Sequence, residues 1–299
     1  MRGDAERVAL AAFLSGAALA GGNAVAIRFS NRELDPLWGA GVRFLLAAVL
    51  LIAIMAALRL RPPRGRALNG ALLYGLFTFA GAFALAYYAL VRLHAGFGQI
   101  LLALVPLAAL LLTAAQRQER LRLAGLLGSL LALAGVVVMS TASVTGEVPL
   151  PSLLAGVGSA FCFAQGAVVV RHFPPVHPVT MNAVGMTAGA AVLLAGSLLA
   201  GESIELPRDG ETWAAISYLV AVGSVVVFLL YLAVLGRWPA SRAAYQFVLI
   251  PFVTVGLSAW LDDEPVGAGL ALGGLLVLAG VYVGALRGGE AERPSAPDG

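Results

Sequence analysis

The chain has 299 residues, 60% of them hydrophobic and only 12% charged, with a mean hydropathy of +0.90. That apolar excess is more than one water-soluble core can hide, and it places the protein in a lipid bilayer. The net charge is +3 and the pI about 9.3, but the basic residues form no cluster interleaved with aromatics, so nucleic acid is excluded as a partner.

Spanning the hydrocarbon takes roughly 20 mostly apolar helical residues. Charges, prolines and glycines cut the chain into ten such runs: 7–28, 36–58, 67–90, 95–115, 121–140, 151–170, 178–200, 212–235, 242–261 and 266–286. The first run resembles a secretory signal, with Arg2 and Arg7 ahead of an apolar stretch. Asp4 and Glu6 dilute its basic region, however, and an uncleaved first helix is expected. Gly146–Pro151, carrying two prolines and an acid, divides five runs from five. The polar tail 287–299 is expected to be disordered and cytoplasmic.

Arginine placement sets the expected orientation. With the N-terminus in the cytoplasm, fourteen arginines fall in inner segments and four (Arg28, Arg32, Arg92 and Arg208) in outer loops, which puts both termini inside. Arg43 alone is left within a span. All the basic residues are arginine and none is lysine, which points to a GC-rich genome and so to a bacterium. The single cysteine, Cys162, rules out an intramolecular disulfide.

The sequence also repeats itself. Displaced by 145 positions, Pro106–Val138 matches Pro251–Val283 at 13 of 33 positions, among them Pro106 on Pro251, Glu119 on Glu264, Gly128 on Gly273 and Gly135 on Gly280. Five helices per copy is an odd number, so the second copy enters the membrane from the opposite side. The expected fold is therefore all-α, with ten transmembrane helices in two inverted five-helix repeats, residues 7–140 and 151–286. Secondary transporters use this plan to open a central site alternately to either side.

Polar residues follow the inversion. Asn23, Arg43, Tyr87, Tyr88, His94 and Gln99 fall toward the outer ends of their helices, and Gln165, Asn182, Tyr231, Tyr245 and Gln246 toward the inner ends. Polar groups in a bilayer are costly unless they face a cavity or one another, so the pattern suggests two vestibules with a waist between them. Local helix-to-helix hydrogen bonds are the alternative for each residue taken alone. Arg43 stands seven residues after Pro36, about 10 Å along a helix. A guanidinium at that depth suits a substrate carboxylate; otherwise it snorkels outward or braces its neighbours. Pro106 and Pro251 should kink helices four and nine. Glu119 and Glu264 read as caps at the starts of helices five and ten, with Pro265 as a first-turn proline. The glycines of helices five and ten (Gly125, Gly128 and Gly135; Gly269, Gly273, Gly280 and Gly284), like Gly185 and Gly189 in helix seven, read as close-packing positions.

No metal-ligand spacing, phosphate loop or cofactor fingerprint appears, so neither cofactor nor metal is expected. Gly22-Asn23, Pro36 followed by Arg43, Tyr88-Ala89-Leu90, Pro106, Glu119, Gly128 and Gly135-Val136, with Pro251, Glu264, Gly273 and Gly280-Val281 in the second copy, carry a resemblance across nearly the whole chain. The chain resembles ten-helix members of the drug/metabolite transporter superfamily with two EamA-type domains. The Arg237–Ala240 turn departs from that pattern by lengthening the connection between helices eight and nine.

The resemblance implies a plasma-membrane exporter of amino acids or related small metabolites, with helices one to four and six to nine around a central cavity. In this reading Arg43 orients a carboxylate, while Asn23 and Gln99 hydrogen-bond. Tyr87 or Tyr88 lines the outer gate, and Gln165, Tyr231 and Tyr245 the inner one. The expected partners are a small-molecule substrate and the bilayer, with a proton as the candidate coupling ion and a monomer or weak homodimer as the assembly. The competing classes are a multidrug or other-metabolite permease of the same fold, an intramembrane enzyme acting on lipid or peptide, a non-transporting scaffold and a channel.

Overall fold

A computed structural model describes residues 2–116, 123–141, 148–235 and 245–283. In chain order the helices are α1 (Arg2–Ser30), α2 (Pro36–Ala57), α3 (Arg66–Gly75), α4 (Ala82–Arg92), α5 (Ala95–Leu102), α6 (Val105–Ala115), α7 (Leu123–Thr141), α8 (Leu150–His172), α9 (Pro178–Ala200), α10 (Gly210–Val220), α11 (Val227–Leu235), α12 (Tyr245–Leu261) and α13 (Ala268–Val281). Among the described residues, seven helical stretches are long and apolar enough to cross a membrane, and three further apolar helices are shorter. The protein is thus an all-helical, multi-pass membrane protein. Glu119 and the Arg237–Ala240 turn lie outside the described residues, as does the tail from 284 onward.

Two of the long rods are not plain α-helices. Leu76–Gly81, between α3 and α4, and Ala221–Val226, between α10 and α11, are turns of π-helix. Their first and last residues are displaced by 145 positions, the same offset as the sequence repeat. A π turn fits one extra residue into a helical turn and loosens its hydrogen-bond ladder, and such turns recur at functional sites. Nothing in the apolar pattern of either stretch signals the insertion.

Proline acts differently in its two repeat-related positions. Pro106 lies in the first turn of α6, after a break in the helix at Ala103–Leu104. Without an N–H, proline suits a first turn, where no intrahelical donor is needed, so the rod is interrupted there and starts again at Val105. Pro251, by contrast, sits inside α12.

The helices pair reciprocally. α2 lies along α9, and α7 along α13; α1 packs against α10, α11 and α12, while α8 packs against α3, α4, α5 and α6. At the α7–α13 seam the backbones nearly touch. A Cβ on Gly135 would stand 2.6 Å from the Gly273 carbonyl oxygen, and one on Gly280 would stand 2.6 Å from that of Gly128. Only a residue without a side chain allows that approach, which supplies packing where lipid offers no hydrophobic drive between helices. The main core gathers Phe44, Phe79, Phe83, Tyr87, Leu193 and Phe228 at the centre of the bundle.

Candidate functional site

The geometry of the site begins at the start of α2. Asp35 is extended and Pro36 opens the helix, leaving first-turn amides to be satisfied from elsewhere. The Glu202 carboxylate does so, accepting from Leu37 N at 3.1 Å and Trp38 N at 2.8 Å. With its start fixed from the α9–α10 connection, α2 carries Arg43 two turns inward, where the side chain has no exposed surface.

The guanidinium is held on three sides. Nε donates to Ser224 Oγ at 2.9 Å, Nη2 donates to the Gly223 carbonyl at 3.2 Å, and the rings of Phe44 and Phe83 lie 4.9 and 4.7 Å from its carbon. Gly223 and Ser224 belong to the second π turn, so the loosened segment meets the buried cation. Asn23 Nδ2 reaches the same Gly223 carbonyl at 3.5 Å. A Cβ on Gly223 would stand 2.1 Å from Asn23 Oδ1, so glycine is required for this convergence of α1, α2 and the π turn.

Several buried polar atoms here have no well-formed hydrogen bond among the described residues: Arg43 Nη1, Asn23 Oδ1 and the Tyr87 hydroxyl. The Tyr87 hydroxyl is a hydrogen-bonding neighbour of the Arg43 guanidinium, the Tyr218 hydroxyl stands within electrostatic reach of it, and the Tyr218 hydroxyl donates to the Leu19 carbonyl. Thr78 Oγ1 in the first π turn and Asn182 Nδ2 in α9 are likewise buried without partners. Native interiors pair such atoms with protein, ordered water, an ion or a ligand. An aromatic cluster continues from the two rings that face Arg43: Phe44 meets Phe79 at a tilt and Phe83 edge-on, and Phe79 meets Phe228 and Phe83 meets Phe163 edge-on, with centroids 4.7–5.2 Å apart.

The remaining sequence-selected residues spread along the bundle. Gln99 is buried in α5, outside the described contacts of Arg43. Tyr88 is 50% exposed and turns away from its buried neighbour Tyr87. Gln165 accepts from Gln116 Nε2 at 2.9 Å in an exposed pair. Tyr231 meets Phe247 edge-on at 5.9 Å. The Tyr245 side chain lies outside what is described. Sequence reasoning missed Gly223, Ser224 and Thr78, since small residues in an apolar run look like packing; the 145-residue offset marks the two π turns only in retrospect.

At the end of the bundle that holds Asn31 and His94, a charged lattice joins distant parts of the chain. Arg28 Nε lies 2.9 Å from Asp262 Oδ2 and 3.0 Å from Glu264 Oε1, and Arg28 Nη1 donates to the Leu93 carbonyl at 2.6 Å. Arg32 joins Asp262 at 2.5 Å and Glu211 at 3.1 Å. Glu264 does not cap the helix that follows it, as the sequence suggests. Gly267, in extended conformation, is the N-cap of α13, which leaves Pro265 outside its first turn. The Glu264 carboxylate instead accepts the Ala95 and Gly96 amides at the start of α5, at 2.8 and 3.4 Å, with His94 Nδ1 3.2 Å away. Those amides are the free donors of a helix start, and an acid there is favoured by the helix dipole. Nearby, burial of Glu33 would raise its pKa, but the amides of Arg208 and Asp209 outweigh it and hold Glu33 below the ordinary carboxylate range; hydrogen-bonded to Glu33, Asp209 is raised.

A family model described as "EamA-like transporter family" matches residues 7–141 and 150–285. The chain belongs to that family. This EamA-family chain is 29% identical over 274 residues to a "Probable amino-acid metabolite efflux pump" of Salmonella typhimurium, covering 87% of the chain and 89% of the relative. It is also 29% identical over 263 residues to the "Uncharacterized inner membrane transporter YedA" of Escherichia coli K12, covering 86% and 84%. A solved structure titled "Crystal structure of protein" superposes with a TM-score of 0.68 over 95% of this chain and 99% of that one; at 22% identity it speaks for the fold alone. The EamA assignment agrees with the drug/metabolite transporter resemblance, and the family and relatives' names indicate a transporter rather than an enzyme.

Proposed function

We propose that the protein is a secondary transporter that exports small organic metabolites, amino acids among the candidates, by alternating access across the plasma membrane, with both termini cytoplasmic. The observation that carries this reading is the Arg43 centre: a fully buried cation with no carboxylate partner among the described residues, beside the polar groups of Asn23 and Tyr87, on the contact between α2 and the second π turn. A passage that periodically admits a polar solute gives that cation and its polar neighbours a role.

Reciprocal helix pairing and the equal offset of the π turns support ten spans in two inverted five-helix repeats, 7–140 and 151–286. In that arrangement the Arg28–Asp262–Glu264 lattice closes the outer end, and Arg43 binds cargo at the waist with Asn23 and Tyr87. Gln165 and Tyr231, with Tyr245, lie toward the inner mouth, and Gln99 and Tyr88 stand aside from the waist. Names of relatives lend the direction and the metabolite class, and a proton is the candidate coupling ion.

Efflux from proteoliposomes, with and without a pH gradient, tests the reading against a panel of amino acids, other carboxylates and cationic drugs. Outward movement of at least one solute that depends on Arg43 supports it. Absence of flux for every solute under every gradient would sink it.

A further inference from the structure

The charge around Arg43 does not balance. Among the described residues, every Asp and Glu after Glu6 stands in a connection or in the first turn of a helix, and Arg43 has no ion pair. Asp262, Glu264 and Glu211 are engaged by Arg28 and Arg32 at the Asn31 end. The rings of Phe44 and Phe83 attract the guanidinium but carry no net charge. A buried cation in low dielectric is costly without a counter-ion, and more so inside a membrane span. Nη1 makes no well-formed hydrogen bond, and the Tyr87 hydroxyl that interacts with the guanidinium is neutral and brings no opposite charge.

Resting on the reading of Arg43 as the cargo site, we propose that the missing counter-ion is the cargo itself: an organic monoanion whose carboxylate has no balancing ammonium group and whose body is apolar. A monoanion brings the charge of the occluded site to zero. A zwitterion brings its own ammonium and leaves the site at one positive charge, and an organic cation adds a like charge. A phosphate monoester, carrying about −1.5 to −2 near neutral pH, overshoots. Asn23 Oδ1, a neutral acceptor, suits an amide N–H or a hydroxyl on the cargo but gives an ammonium no opposite charge. Linked rings of Phe44, Phe79, Phe83 and Phe228 provide the apolar surface for the body.

The test uses compounds that share one ring and differ in charge: 3-phenylpropanoate and N-acetylphenylalanine as monoanions, phenylalanine as zwitterion, and phenylethylamine as cation. Their stabilisation of the purified full-length protein against heat is measured first, then their competition in proteoliposome counterflow. The expected result is half-maximal stabilisation by both monoanions at a concentration at least about tenfold below that of phenylalanine, with no effect of the amine. Arg43→Gln should erase the ranking. Asn23→Asp, which places a carboxylate beside the carbonyl that Arg43 already shares, should reverse it in favour of the zwitterion, and this variant carries the test if Arg43→Gln does not fold. Phenylalanine matching the monoanions in the wild type, or a ranking unchanged by Asn23→Asp, overturns the inference. If phenylalanine binds best and still depends on Arg43, only the charge preference falls and the transporter reading stands. If no solute of this set or of the wider efflux panel binds or moves, both fall.

Discussion

Arg43 Nε and Ser224 Oγ, 181 residues apart in sequence, meet at 2.9 Å in the centre of the bundle. One partner lies on a regular helix and the other on a π turn, so the cation is aimed by the less regular of two packed elements. Ser224→Ala removes one of the two hydrogen bonds that orient the guanidinium. A hydrogen bond from a charged donor contributes about 1.5–3 kcal/mol, so the expected outcome is a rise in KM of about tenfold or more with the maximal rate little changed. Concentration-dependent counterflow separates the two; an unchanged KM contradicts the positioning role.

Gly223→Val tests the convergence on the π turn. Its Cβ would stand 2.1 Å from Asn23 Oδ1 and 3.3 Å from Arg43 Nη2. Overpacking of this kind costs about 1–3 kcal/mol. Thermal unfolding in detergent should shift downward and transport should be lost, whereas Gly256→Ala, where a Cβ meets nothing within 4 Å, should leave both near wild type.

Glu264→Gln tests the lattice at the Asn31 end. Arg28 loses one of two carboxylate partners, and the Ala95 and Gly96 amides lose a charged acceptor. The expected loss of stability is about 1–3 kcal/mol. If this lattice closes the outer mouth, a cysteine at Tyr87, in a Cys162→Ala background, should be alkylated several-fold faster by a membrane-impermeant maleimide from outside the cell. Equal labelling with and without Glu264→Gln would show that the lattice stabilises without gating.

Gly135→Leu tests the α7–α13 seam. The added side chain meets the Gly273 carbonyl oxygen and the Val277 amide nitrogen within 2.7 Å of its Cβ. Separation of the two helices should lower the melting temperature strongly, while a leucine exposed on the same helix, such as Leu130, should tolerate Ala with little change.

Long apolar runs, the offset repeat and the glycine-rich helices were legible because each depends on local composition or spacing. Gly135 and Gly280 could be assigned to close packing from their spacing alone. Arg43 could be singled out because a cation inside an apolar span has few explanations. The π turns at Leu76–Gly81 and Ala221–Val226 were not legible, since both lie in apolar runs whose composition suits a plain helix equally well. Glu264 was misread for a related reason: an acid ahead of a helix looks like that helix's cap, and only the fold brings the start of α5 to it. Pro106 stands in the first turn of α6, where a proline needs no intrahelical donor.

The most direct measurement of the central claim is counterflow of a transported carboxylate by wild type and by Arg43→Gln, each shown to be folded in the same proteoliposomes. A charge-assisted hydrogen bond is worth about 1.5–3 kcal/mol, so the account predicts a loss of roughly 10- to 100-fold in transport efficiency for the variant, with Arg43→Lys intermediate. Carboxylate flux through Arg43→Gln equal to that of the wild type would contradict the placing of cargo at this residue.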